Sequence, residues 1–147
     1  MGRTPVFKSG GKKTEVPLKW ERIGMPPPGK IRAMTLHYKW LTQTVATAAQ
    51  IHPGDLPAIA AHGFKTLINN RPDGEGGPNQ PTSKELEEAA REHGIAYVYL
   101  PVVPMRYTRE QVEAMAQHLK TAATPVLAFC RSGARTEQLF HFTQQLG

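Results

Sequence analysis

From Thr124 to Thr136 the chain reads TPVLAFCRSGART, and this stretch restricts the possible folds more than any other. Val126, Leu127, Ala128 and Phe129 make a short apolar run with the length of a strand. Cys130 follows at once, then Arg131, Ser132, Gly133, Ala134 and Arg135, with a helix expected from about Ala134. The cysteine therefore stands at the carboxyl end of a strand and the amino end of a helix. Ser132, Gly133 and Ala134 are small enough for successive backbone N–H groups to turn inward as an anion nest. The helix adds unpaired N–H groups and the positive end of its dipole. Such surroundings favour the thiolate, which is the nucleophile. A cysteine after an apolar strand can be no more than a small buried hydrophobe, but two arginines and a glycine around it have no packing rationale. Cys130 is read as a nucleophile at the base of a cradle for a small tetrahedral anion.

The rest of the chain supplies elements that fit around this stretch. Short extended segments are expected at Thr44–Ala46 and Ala49–Ile51, and a helix over 53–62 with Asp55 as its cap and Gly63 as its stop. Phe64–Ile68 reads as a strand and runs into a turn-rich loop over 69–78, long enough to suggest function. A helix follows from Ser83 to Glu92, with Thr82 and Glu85 at the spacing of a capping box. The strand Ile95–Leu100 comes next, then a helix capped by Thr108 and running to about Lys120, the Val126–Phe129 strand, and a last helix to about Leu146. Alternation of this kind implies an α/β fold with a mostly parallel central sheet flanked by helices. Ligands collect at the carboxyl ends of such strands, where the loops 69–78, 101–108 and 130–135 converge.

Length and charge set the outer limits. The 147 residues suit one folded domain, and no apolar run is long enough to span a bilayer. No secretory signal is visible, and a lone cysteine cannot form an internal disulfide, so a reducing, cytoplasmic location is expected. Residues 1–40 hold nine Lys and Arg against Glu15 and Glu21, whereas residues 41–147 hold nine against ten acids. The basicity belongs to a Pro/Gly-rich arm over 1–40, distinct from a domain over 41–147. Three readings of the arm stand: a disordered extension, a lid packed through residues such as Trp20 and Trp40, or a segment not translated if Met25 or Met34 is the start. A nucleic-acid role is not expected of it, because it lacks a dense basic block. The six histidines show no paired spacing suited to a metal, and neither metal nor cofactor is expected.

Three segments together carry a family resemblance: Asn70-Arg71-Pro72-Asp73-Gly74-Glu75 after an apolar strand, Tyr99-Leu100-Pro101-Val102-Val103, and Val126 through Arg135. Over residues 41–147 the chain resembles the phosphatase-like domain of beta-lactamase-hydrolase-like proteins. The resemblance implies a fold like that of the dual-specificity protein tyrosine phosphatases, with the cysteine loop at the carboxyl edge of the sheet. It also implies an association with a persulfide dioxygenase partner, and hence with sulfane-sulfur metabolism.

Three departures separate this chain from the tyrosine phosphatases. Phe129 stands where their loop has a histidine, and four residues rather than five separate Cys130 from Arg135. In addition, the stretch Val102–Tyr107 contains no acid where those enzymes carry the proton donor for the leaving oxygen, a group worth roughly 10²–10⁴-fold in rate. Rhodanese-type sulfurtransferases use the shorter loop and need no strong acid. The first expectation is therefore a cysteine-dependent sulfurtransferase that forms a persulfide on Cys130 from thiosulfate or a persulfide. A slow phosphatase acting on a phosphate ester through a phosphocysteine is the alternative, and a non-enzymatic anion-binding module the third reading.

The expected roles follow residue by residue. Cys130 is the nucleophile and Arg135 holds the anion through its planar fork. Arg131 raises the local potential, the N–H groups of Ser132, Gly133 and Ala134 line the cradle, and Thr136 donates its hydroxyl to the thiolate. Arg71 supplies a second anion contact. Asp73 is the one acid able to replace the missing proton donor, although Arg-Pro-Asp-Gly is also good turn chemistry.

Overall fold

The computed structural model describes residues 36–146; the expectations for residues 1–35, including those for Trp20 and the alternative starts, lie outside them. Five strands form one sheet: β1 (Lys39–Trp40), β2 (Val45–Ala48), β3 (Thr66–Asn69), β4 (Ala96–Tyr99) and β5 (Val126–Phe129). Their order is β1-β2-β5-β3-β4. β2, β5, β3 and β4 run parallel, and only β1 is antiparallel to its neighbour. The helices are α1 (Leu56–Ala61), entered through a 3-10 turn at Pro53–Asp55, then α2 (Ser83–Glu92), α3 (Arg109–Thr121) and α4 (Ala134–Gln144). The α/β architecture with a mostly parallel sheet is thus the one expected. No helix among the described residues is long and apolar enough to cross a membrane.

Each central strand feeds two cores. Successive side chains of a strand point to opposite faces, so Leu127 and Phe129 of β5 pack with Leu56, Ile59, Leu86 and Ala90 of α1 and α2. Val126 and Ala128 pack with Val112 and Met115 of α3 and Leu139 of α4. This is why β5 reads as a continuous apolar run and not as an alternating one. The parallel register aligns Phe129 with Ala48 on one side and Asn69 on the other. The residue after each strand, Cys130 among them, emerges at the same edge.

Local signals place the helices. Thr82 accepts from Glu85 N–H at 3.2 Å while the Glu85 carboxylate accepts from Thr82 N–H at 2.9 Å, and Thr108 and Gln111 repeat the arrangement at the start of α3. Gly63, with φ +91°, stops α1 in a conformation that a Cβ disfavours.

Three expectations change at the amino end. Thr44–Ala46 and Ala49–Ile51 are not two segments: one strand covers Val45–Ala48, and Gln50 then turns to donate its N–H to the Arg131 carbonyl at 3.2 Å. Asp55 does not cap α1 through its side chain; its carboxylate accepts from His52 N–H. The boundary drawn after residue 40 also differs from the packing, since Leu36 and Tyr38 already pack on the core. Trp40 stacks on Phe64 with ring centroids 5.5 Å apart. A two-residue strand has no periodicity to read, and the aromatic contacts of Tyr38 and Trp40 with His62 and Phe64, just beyond α1, hold it in place.

Leu127 is fully buried at the centre of the sheet. Leu127→Ala is expected to cost roughly 2–5 kcal/mol through lost burial and the cavity left behind. Urea denaturation should show this as a lowered midpoint with an unchanged slope.

Candidate active site

Cys130 follows the last residue of β5 and is fully buried. Its N–H reaches the Ala48 carbonyl at 3.4 Å, so the strand still guides it as the loop begins. The sulfur accepts a hydrogen bond from Gly133 N–H at 3.1 Å. That bond needs the loop to turn back sharply, and Gly133 does so with φ +96°. Gly133 is also the N-cap of α4, its carbonyl accepting the helical bond from Glu137 at 3.0 Å. Thr47 of β2 holds the same carbonyl through its hydroxyl at 3.3 Å. The strand-to-helix turn is fixed from both sides, and one of its backbone donors is aimed at the sulfur. Of the other expected cradle groups, Ala134 N–H bonds the Ser132 hydroxyl oxygen at 3.4 Å.

Arg135 lies in the first turn of α4 and is only 8% exposed. A buried guanidinium is costly without a counter-charge. Glu75, from the loop after β3, provides it: Arg135 Nη1 and Nη2 donate to the two carboxylate oxygens at 3.0 and 2.9 Å. Nη1 also donates to the Val102 carbonyl at 3.1 Å. One side chain therefore ties together all three loops at the carboxyl edge. Glu75 receives a further bond from Arg71 Nε at 2.9 Å, and Arg71 Nη1 donates to Gln50 at 3.0 Å. The hydrogen bond from Arg135 holds the Glu75 carboxyl below the usual carboxylate range; desolvation opposes it, and Arg71 reinforces it. Glu75 was not assigned a role from sequence, although its place four residues after Arg71 was a signal for the pair.

Three expected roles change here. Arg71 is not among the residues lining the cavity at Cys130; it braces Glu75. Thr136 does not donate to the sulfur, since its hydroxyl donates to Asn70 Oδ1 at 2.9 Å. Asp73 accepts from Ser83 N–H at 2.7 Å, tying the loop to the start of α2, and its own N–H goes to the Tyr99 hydroxyl at 2.9 Å. The turn-chemistry reading of Asp73 describes its contacts. Asn70, also without an assigned role, is fully buried, and each of its four polar atoms has a partner. Its N–H bonds the Phe129 carbonyl, its carbonyl accepts from Val102, its amide nitrogen donates to the Leu100 carbonyl, and its amide oxygen takes Thr136. Two amides directly after an apolar strand were the available sign.

A cavity of about 370 Å³ reaches Cys130. Arg131, Ser132, Ala134 and Arg135 line it from the cysteine loop, Pro104, Met105 and Tyr107 from the loop after β4, and Gln138 from α4. A larger one, about 440 Å³, lies beyond Met105 and Tyr107 against Val112, Phe142 and Leu146. Cys130 is not among the residues that line it, so the smaller cavity is the candidate site. Among the described residues no cluster of three His, Cys, Asp or Glu side chains could hold a metal ion.

Residues 37–147 match the family model of the phosphatase-like domain of beta-lactamase hydrolase-like protein. A beta-lactamase hydrolase-like protein of Agrobacterium fabrum is 35% identical over 100 residues, covering 68% of this chain and 23% of that protein. One from Xylella fastidiosa is 32% identical over 104 residues, covering 71% and 24%. The chain spans about a quarter of the length of these curated relatives. Among solved structures, a candidate phosphatase from Neisseria meningitidis aligns with a TM-score of 0.67 and 31% identity, over 72% of this chain and 75% of that one. Kinase associated phosphatase with its catalytic-site cysteine replaced by serine aligns with a TM-score of 0.62 at 14% identity, over 76% and 74% of the chains, a likeness of fold. The fold expected from the resemblance is the fold these structures share, and the chain belongs to the phosphatase-like domain family of the beta-lactamase hydrolase-like proteins.

Proposed function

We infer that the domain is a cysteine-dependent phosphatase acting through a phosphocysteine. The observation that carries this reading is the unfinished guanidinium of Arg135. Arginine has five N–H donors. Glu75 and Val102 take both of those on Nη1 and one on Nη2. The two left are Nε–H, buried and without a partner among the described residues, and the second N–H of Nη2 beside it on the same edge. A pair of parallel donors suits two oxygens of a tetrahedral anion, and Arg135 lines the same cavity as the Cys130 sulfur. Glu75 does not compete for that edge: it holds the opposite end and orients the rest.

The chemistry follows from this placement. The Cys130 thiolate attacks phosphorus, the bond to the leaving oxygen breaks, and the phosphoryl group rests on sulfur. Arg135 and the start of α4 meet the charge on its oxygens. Water then displaces the sulfur and releases inorganic phosphate. The expectation of sulfur transfer rested on loop length and the absent acid. The family match and the Neisseria meningitidis neighbour favour phosphorus instead, so sulfur transfer is kept as an outcome of the test.

Incubation with an aryl phosphate is expected to release phosphate, and Cys130→Ser to lower that rate by roughly 10³-fold or more. Arg135→Lys, which removes the parallel donors, should lower kcat/KM by about 10²-fold. Intact-mass measurement after thiosulfate treatment provides the contrast. A gain of one sulfur on Cys130 without phosphate release from the ester would replace the phosphatase by the sulfurtransferase.

Glu75 gives a second prediction. Its carboxyl is held below the ordinary range in the folded chain, so its stabilisation is fully present above that range and disappears as acid protonates it in place. Glu75→Gln should therefore be less stable than the unaltered chain at neutral pH, with the gap closing as the pH falls through the depressed titration. Chemical denaturation at a series of pH values measures it, and a pH-independent gap would mean that the charge is not the cause.

A further inference from the structure

Each acidic side chain that the loops around Cys130 supply is already committed. Asp73 accepts from Ser83 N–H, and Glu75 is held ionised between Arg135 and Arg71. Glu137, in the first turn of α4, pairs with Lys39 at 3.0 Å and with His141 at 3.7 Å. The Tyr107 hydroxyl donates its hydrogen bond to Gln138 Oε1 at 2.6 Å. Among the described residues, no carboxyl or imidazole group lines the cavity. Arg131 lines it instead, exposed and in no ion pair among them. Among the described residues the site has a cysteine, a guanidinium edge and a positive charge, but no carboxyl or imidazole poised to donate a proton.

Building on the phosphatase reading, we propose that this site serves phosphoryl compounds whose leaving group departs as a stable anion: acyl phosphates, phosphoanhydrides and esters of acidic phenols. It discriminates against alkyl phosphates. In the first step the Sγ–P bond forms and the P–O bond breaks, and the electron pair stays on the leaving oxygen, so no proton has to be supplied. The Arg131 guanidinium offsets the charge that develops there. In the second step a water oxygen bonds to phosphorus, the S–P bond breaks, sulfur regains its pair as thiolate, and the proton lost by water passes to bulk solvent. An alkoxide is too basic to leave in this way, and a general acid would be needed to make up roughly 10²–10⁴-fold in rate.

The test is a leaving-group series on the full chain. kcat/KM is measured for aryl phosphates of graded phenol acidity, for acetyl phosphate and for glycerol phosphate. The expected result is a steady fall in rate as the leaving group's pKa rises, amounting to at least roughly 10²–10⁴-fold across the series, with acetyl phosphate among the fastest substrates and glycerol phosphate among the slowest. Asp73→Asn should shift all rates by a common factor and leave the slope as it was. A flat series, or a slope that steepens in Asp73→Asn, would overturn the proposal by revealing a protein proton donor. Absence of Cys130-dependent turnover with every substrate would remove the phosphatase reading and this proposal with it, an outcome distinct from a flat series, which removes the proposal alone.

Discussion

A buried guanidinium is the constraint on which this domain's site depends. Arg135 occupies the start of α4, where the helix already concentrates positive charge, and it is shielded from water. Such a group is tolerated only with a charged partner in good geometry. The loop after β3 has to deliver Glu75, and the loop after β4 has to turn the Val102 carbonyl inward. Arg71 and Gln50 extend the network to the loop after β2. The candidate site and the packing of the sheet's carboxyl edge share one set of hydrogen bonds.

The short cysteine loop fits that arrangement. With four residues between Cys130 and Arg135, the chain turns from strand to helix through Gly133 in a left-handed conformation. Thr47 and the backbone of Ala48 pack against that turn. The smaller cradle leaves fewer backbone N–H groups for an anion than a longer loop would. On the proposed reading the free side-chain edge of Arg135 would carry a larger share of anion recognition, and Glu75 and the Val102 carbonyl hold that side chain in place.

Much of this was legible in the sequence wherever the signal is local. The β5 strand was readable because both of its faces are buried, the starts of α2 and α3 because capping boxes act over three residues, and the turn after Cys130 because Gly133 and the small residues beside it mark a strand-to-helix turn. The extent of the amino-terminal boundary was not, since β1 is two residues long and is held by pairing with β2 and by Trp40 on Phe64. Glu75 and Asn70 also escaped, although both stand in the loop whose pattern carries the family resemblance. Their partners lie in distant segments, and nothing local distinguishes an ion-pairing glutamate from a solvated one. Asp73 shows the reverse case: its chemistry suggested a proton donor, and tertiary structure gave its carboxylate to the backbone of α2.

Glu75 and Arg135 are separated by 60 residues, and Asn70 and Thr136 by 66. Contacts of such separation carry the largest loop-closure entropy and form only once the intervening chain has been organised. The cysteine loop is thus no autonomous motif, even though its own strand, turn and helix are contiguous. Excised with β5 and α4 alone, it would keep its local sequence and lose the groups that orient Arg135. The orientation of Arg135 beside Cys130 therefore depends on contacts spread across the whole sheet edge and not on the cysteine loop alone.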